Sequence, residues 1–276
     1  MTSIDARRLG YHLIEGLLQE PEYGPIFAIN RNPTKNRHCK ITYQACDIAD
    51  AGAVARLLEE TQPRREFPAT NFKGTKNLLD ATTAALSVKA LVFTSSVSVL
   101  AGNEHLLLDE NSPLWQTGSG ATPYKLTKSL ADVLVREANS EKLRTVSLRH
   151  CLVIGERDNS YVPLWVNAPT NMQIGNNENL IDAMYVGNSV TAHLLAAKAL
   201  LNPRCANGKV DGEAFNIIDG RQIRFWDLSQ LIWSAAGTPA PVEKITVNPA
   251  WLALIMADIA EWLFWIFTLA TRNPRN

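Results

Sequence analysis

Tyr124 and Lys128 stand four residues apart in Ala121-Thr-Pro-Tyr-Lys-Leu-Thr-Lys. At the start of a helix that spacing puts both side chains on one face, where they can act on a single ligand. A phenol beside an ammonium has its anionic form favoured. Its pKa moves from about 10 toward the working range of a general acid or base. Hydride transfer to or from a carbinol needs such a group. The spacing by itself is weak, because a Tyr and a Lys four apart occur in many solvated helices. Ser96 strengthens it: the hydroxyl lies just past the apolar run Ala90-Leu-Val-Phe-Thr-Ser95, which reads as a buried strand. In open parallel sheets, ligands bind at the carboxyl ends of strands. The competing reading of Ser95, Ser96 and Ser98 is ordinary turn chemistry after a strand.

The elements that would position these groups alternate. Leu9, Leu13, Ile14, Leu17 and Leu18 recur at helical steps from Arg7 to Leu18. Short strands follow at Pro25 to Asn30 and Ile41 to Cys46, then helices at about Ala51 to Glu60 and Asn71 to Leu86. After the strand ending at Ser95 come a helix from Tyr124 to Ala138, a strand from Thr145 to Arg149, a helix from Val186 to Leu201 and a strand from Ala214 to Ile218. This rhythm predicts an α/β fold, a doubly wound, Rossmann-like parallel sheet. The expected division is a dinucleotide-binding domain over 1–150, a small substrate lobe with returning sheet elements over 151–248, and an apolar helix over 249–276.

Composition narrows the partners. Lys plus Arg and Asp plus Glu are both 27, so no net field favours nucleic acid or an anionic surface. Cys39, Cys46, Cys151 and Cys205 are scattered, suggesting neither a metal site nor a disulfide framework and pointing to a reducing compartment. The first residues lack the charge order of a secretory signal. Trp251 to Ala270 is nearly continuous apolar and aromatic sequence broken by Asp258, Glu261 and Thr268. Two acids at mid-helix cost about 2.5–3.5 kcal/mol each in a bilayer, so an interfacial helix is expected rather than a span. A core helix of a soluble protein is the competing reading.

Phe93-Thr-Ser-Ser96-Val-Ser-Val followed by Pro123-Tyr124-x-x-x-Lys128 resembles the extended short-chain dehydrogenases/reductases. The closest likeness is to the branch of 3β-hydroxysteroid dehydrogenases and sterol-4α-carboxylate 3-dehydrogenases. Asn71-x-x-Gly74-Thr75-x-Asn77, Asp182-x-x-Tyr185-Val-x-Asn188-x-x-x-Ala192-His193 and Gly212-Glu-Ala-Phe-Asn-Ile-Ile-Asp219 agree with it in order. The resemblance implies that Ser96 bonds the substrate oxygen, Tyr124 exchanges its proton, and Lys128 holds the nicotinamide ribose and stabilises the phenolate. It implies a dinucleotide-contacting set of Gly10, Asn30, Arg31, Asp47, Ile48, Tyr124 and Lys128. Arg31 stands where an acid would bind the ribose 2′-hydroxyl, which favours NADP among the NAD(P) cofactors. The implied substrate is a lipophilic alcohol of the sterol or triterpenoid kind, oxidised at a ring hydroxyl beside a carboxylate that is then lost. The implied setting is an internal membrane surface such as the endoplasmic reticulum, and a homodimer is compatible with it.

Three departures accompany the likeness. The family's GxxGxxG turn is represented only by Gly10, and Ser3 to Arg8 are too polar for a buried first strand. Between Thr61 and Asn71 a further inner strand is expected and only a polar stretch is found. His150 stands where proline is usual. These departures keep two other readings open: a cofactor-poor, membrane-associated descendant of the fold, and a nucleotide-sugar epimerase or flavonoid-type reductase with the same Tyr and Lys.

Overall fold

The computed structural model describes residues 9–20, 26–30, 37–51, 69–85, 87–102, 108–117, 119–158, 160–202, 208–240 and 245–267. Arg31, most of the helix expected over 51–60, and the stretch 61–68 lie outside them. The residues cluster into two units, 1–159 with 183–220, and 160–182 with 221–276.

The first unit is built on parallel strands. β3 (Ala90–Ser96) pairs with β4 (Arg144–His150) in register from Ala90 opposite Arg144 to Ser96 opposite His150. β4 pairs on its other edge with β8 (Ala214–Ile217). Strand β4 shows how a strand buried on both faces is satisfied. Val146 and Leu148 pack with Ala196 and Leu200 of the helix α5 (Val186–Leu201). Thr145, Ser147 and Arg149, alternating with them, face the helix α3 (Pro123–Glu137) and hydrogen-bond to it. The Thr145 hydroxyl donates to the Val135 carbonyl at 2.6 Å, and the Ser147 hydroxyl and Arg149 guanidinium donate to the Asp132 carboxylate. Each polar side chain on that face has a partner, as burial requires. On the same side Leu91 and Leu143 pack with Val135 and with Leu79 of α2 (Gly74–Ala84). Helices therefore cover both faces, and the sheet is doubly wound as predicted.

Two further strands, β1 (Phe27–Asn30) and β2 (Thr42–Ala45), form a separate parallel pair among the described residues, with Phe27 opposite Thr42. Ile29 and Cys46 close this pair against Ile48 and Ala81. Helix α1 (Leu9–Gln19) buries Leu9 and Leu13 against Val186 and Val190 of α5. Gly16 permits the contact, since a Cβ there would lie 2.6 Å from Val190 Cγ1. The helix expected from Asn71 begins instead with a π-helical turn, Ala69–Lys73, in which the Asn71 carbonyl accepts from the Thr75 hydroxyl at 2.6 Å. After β4, the short β5 (Leu152–Ile154) pairs with the end of β7 (Leu180–Tyr185).

The second unit is smaller and rich in tryptophan. Helix α4 (Tyr161–Val166) meets α6 (Phe225–Ala235) through Trp165 and Phe225, whose rings lie 5.8 Å apart. The indole N–H of Trp233 donates to the Trp165 carbonyl at 2.7 Å. β6 (Met172–Ile174) runs parallel to β10 (Thr246–Asn248), and the start of β7 runs antiparallel to β9 (Gln222–Arg224). The last element, α7 (Ala250–Phe267), exposes Trp251, Leu254, Ile255, Met256, Ile259 and Trp262. Among the described residues no helix is long and apolar enough to cross a membrane.

Candidate active site

Ser96 closes β3 in extended geometry and caps a 3-10 turn, Val97–Val99. Its Oγ accepts from the Ser98 backbone N–H at 3.2 Å and from the Ser98 hydroxyl at 2.9 Å. Both bonds use acceptor capacity and leave the Ser96 hydroxyl proton available as a donor. The start of α3 is fixed by Thr122, whose hydroxyl oxygen accepts from the Lys125 N–H, and by Pro123 in the first turn. Thr127 bonds back to the Pro123 carbonyl at 2.7 Å and accepts from Asn71 Nδ2 at 3.3 Å, which ties the π-helical turn to α3. Tyr124 then projects from the first turn with 44% of its surface exposed. Lys128 follows one turn later on the same side.

The Lys128 ammonium donates to the Thr94 carbonyl at 3.1 Å and lies 5.2 Å from the centre of the Phe93 ring. It is thereby held on β3, two residues before Ser96. Burial pushes its pKa down to about 8, against the opposing pull of the Asp132 carboxylate. Lys128 is therefore tied to the carboxyl end of β3, near Ser96, and Tyr124 stands one turn earlier on the same helix.

Next to this strand end lies a pair of histidines. His193 Nδ1 is 2.8 Å from the Ser189 carbonyl, which can only accept, so that nitrogen carries the proton. Its Nε2 is left to accept from the Thr94 hydroxyl at 2.8 Å. His150, opposite Ser96 in the β3–β4 register, stacks on His193 with centroids 5.0 Å apart and planes 23° from parallel. Burial, His193 and the Lys128 charge together push the His150 pKa down to about 3, so the ring is neutral beside the ammonium. His150 is thus a packed side chain. Thr94 and His193, which fall inside the motifs quoted above without a role of their own, and Asp132, which no motif marked, surround Lys128 and its strand.

The remaining predicted positions lie elsewhere in the first unit. Asp47 follows β2 and is fully buried. Its Oδ1 accepts from the Ala49 N–H at 3.0 Å, and Oδ2 has no partner among the described residues. An acceptor of this kind fits the exocyclic amine of an adenine. The Ile48 carbonyl accepts from Asn77 Nδ2 at 3.0 Å, and its side chain packs where a Cβ on Gly74 would lie, 2.7 Å away. Asn30 ends β1, where its carbonyl accepts from the Cys46 N–H. Gly10 is buried in the first turn of α1. Near that turn the Arg157 guanidinium stacks on Tyr11 at 3.7 Å, and Arg37 lies over the Tyr43 ring at 5.3 Å.

With this geometry in place, the comparison with known proteins is direct. The sequence profile of the 3-beta hydroxysteroid dehydrogenase/isomerase family matches residues 47–246. The chain belongs to that family. Among its relatives, the decarboxylating sterol-4-alpha-carboxylate 3-dehydrogenase of Gibberella zeae is 35% identical over 218 residues, 76% of this chain and 72% of that protein. The Schizosaccharomyces pombe protein of the same name is 34% identical over 245 residues, 82% and 70% of the two chains. Solved structures agree on the fold. UDP-glucose 4-epimerase from Thermotoga maritima superposes with a TM-score of 0.67 at 19% identity, over 88% of this chain and 87% of that one. A Streptomyces venezuelae dTDP-glucose 4,6-dehydratase, solved with NAD, gives 0.68 at 19% identity over 88% and 82%. Membership makes this 3-beta hydroxysteroid dehydrogenase/isomerase relative a short-chain dehydrogenase/reductase that acts on CH–OH groups.

Proposed function

We propose that the protein oxidises the ring hydroxyl of a sterol-4α-carboxylate or a close lipophilic analogue, with loss of the neighbouring carboxylate. The observation that carries this reading is Lys128 bound to the Thr94 carbonyl next to Ser96, with Tyr124 one turn earlier on the same helix. The names of the relatives at 34–35% identity supply the substrate class. Ser96 donates to the substrate oxygen, the Tyr124 phenolate takes the hydroxyl proton, and Lys128 stabilises that phenolate. A bound nicotinamide dinucleotide supplies the hydride acceptor. Lys128 would hold its ribose, Asp47 and Ile48 its adenine, and Asn30 and Gly10 would flank it. The product is a β-keto acid, which loses carbon dioxide because the electrons left behind delocalise into the new ketone.

NADP is the favoured cofactor. The segment from Arg31 to Cys46 contains Arg31, Lys35, Arg37 and Lys40 and no acid, which suits a 2′-phosphate better than a free 2′-hydroxyl. The exposed apolar face of α7 would lie on a membrane that holds the substrate, such as the endoplasmic reticulum. Titrating the protein with NADPH and NADH by cofactor fluorescence tests the reading. Saturable binding below millimolar, tighter for NADPH, is expected. Failure of both to bind would reject the dehydrogenase assignment, and tighter NADH would reject the choice of NADP.

A further inference from the structure

Ser98 follows Ser96 by two residues, inside the 3-10 turn Val97–Val99 at the end of β3. That turn is anchored. Val99 and Leu100 are buried, and the Val99 carbonyl accepts from the Trp115 N–H at 3.0 Å. The Trp115 carbonyl in turn accepts at 2.7 Å from the hydroxyl of Ser129, the residue of α3 next to Lys128. The turn is thereby tied to the helix that carries Tyr124 and Lys128. Reversing the chain after a serine needs one bond to its oxygen, and the Ser98 backbone N–H supplies it at 3.2 Å. The Ser98 hydroxyl adds a second bond to the same oxygen at 2.9 Å, which the turn itself does not require.

A hydroxyl offers one proton and two lone pairs. The two bonds from Ser98 occupy both lone pairs of Ser96 Oγ, so the proton alone remains for a ligand. We propose that Ser98 is a positioning residue that makes Ser96 an obligate donor toward the substrate oxygen. This rests on the assignment of Ser96 to the dehydrogenase reaction. A secondary alcohol lying between Ser96 and Tyr124 would otherwise have two oxygens to which it can direct its proton. With the Ser96 lone pairs filled, that proton has the Tyr124 phenolate as its acceptor, and the alcohol oxygen accepts from Ser96. Oxidation starts from this arrangement. The C–H electron pair leaves as hydride to the oxidised nicotinamide, the O–H pair becomes the carbonyl bond, and the proton passes to Tyr124. The bond received from the Ser98 hydroxyl also polarises the Ser96 O–H, which strengthens its donation to the substrate oxygen.

The test is a double-variant cycle at Ser96 and Ser98 in the full chain, with a sterol-4α-carboxylate bearing a free 3-hydroxyl and oxidised NADP or NAD. Ser98→Ala frees one lone pair of Ser96 and is expected to lower kcat by about 10-fold, the rate equivalent of a lost hydrogen bond. KM should stay level or fall, because the alcohol gains an unproductive partner in the ground state. Ser98→Thr keeps the hydroxyl and is expected to recover most of the rate. In the Ser96→Ala background, Ser98→Ala is expected to lower kcat no further, because its effect runs through the Ser96 oxygen. Wild-type kcat in Ser98→Ala would overturn the proposal, as would an equal loss in Ser98→Thr or a full additional loss in the Ser96→Ala background. A wild type that binds cofactor without turnover contradicts the dehydrogenase reading itself, whereas an active wild type matched by Ser98→Ala contradicts only the role given to Ser98.

Discussion

His150 and Lys128 are neighbours whose protonation states depend on each other, and the consequence for stability has a definite sign. In the folded chain His150 takes up its proton only near pH 3, because it is buried beside His193 and Lys128. In the unfolded chain an ordinary histidine does so near 6.5. Between those values the unfolded state binds more protons, so stability rises with pH and is lost as pH falls below about 6.5. The loss amounts to ~1.4 kcal/mol per pH unit for each excluded proton. His193, also lowered by burial, acts in the same direction. Urea melts at pH 7 and pH 5 should therefore differ strongly, and the difference should shrink in His150→Gln; an unchanged difference would show that His150 is not the group excluded. Ser96 makes a separate prediction. Since its proton is the one left to donate, Ser96→Ala should lower kcat by about 10²-fold or more while NADPH affinity stays within a few-fold. Equal losses in both would argue for a structural role instead.

Strand β4 illustrates what was legible at the level of elements. Its apolar alternation marked a strand over Thr145 to Arg149, and the observed element is one residue longer at each end. The helix from Val186 to Leu201 is found with the bounds its periodicity predicts. The polar face of β4 could not be read, because the buried Ser147 and Arg149 find their carboxylate partner in Asp132, 15 and 17 positions away. For the same reason Tyr124, Lys128 and Ser96 were visible as a motif, whereas Thr94 and His193, 99 positions apart, were not recognised as a pair. The short β5, β6, β9 and β10, of three residues each, carry too few side chains for a period to show. The packing itself is testable. Leu148→Ala removes a buried side chain between β4 and α5 and should cost about 2–5 kcal/mol in urea denaturation. Lys76→Ala, which breaks the exposed Lys76–Asp80 pair on α2, should stay within about 0.5 kcal/mol. Equal costs would contradict the core described for β4.

At the scale of the whole molecule, the chain is formally neutral, and α7 exposes a run of large apolar residues that includes Trp251, Leu254, Ile255, Met256, Ile259 and Trp262. Net charge does not draw such a protein to a membrane, so the proposed attachment is assigned to the apolar residues of that helix. Deleting 251–276 should move the protein from sedimenting lipid vesicles to the supernatant, with little dependence on salt. Retention on the vesicles would place the contact elsewhere. The proposed reaction joins hydride removal to loss of carbon dioxide. The most direct test incubates wild type and Tyr124→Phe with a sterol-4α-carboxylate bearing a free 3-hydroxyl and oxidised NADP or NAD. Reduced cofactor and carbon dioxide should form one for one with the wild type, and Tyr124→Phe should bind cofactor but turn over at least about 10²-fold more slowly. More than about a tenth of the rate in Tyr124→Phe, or cofactor binding without turnover in the wild type, would contradict the account.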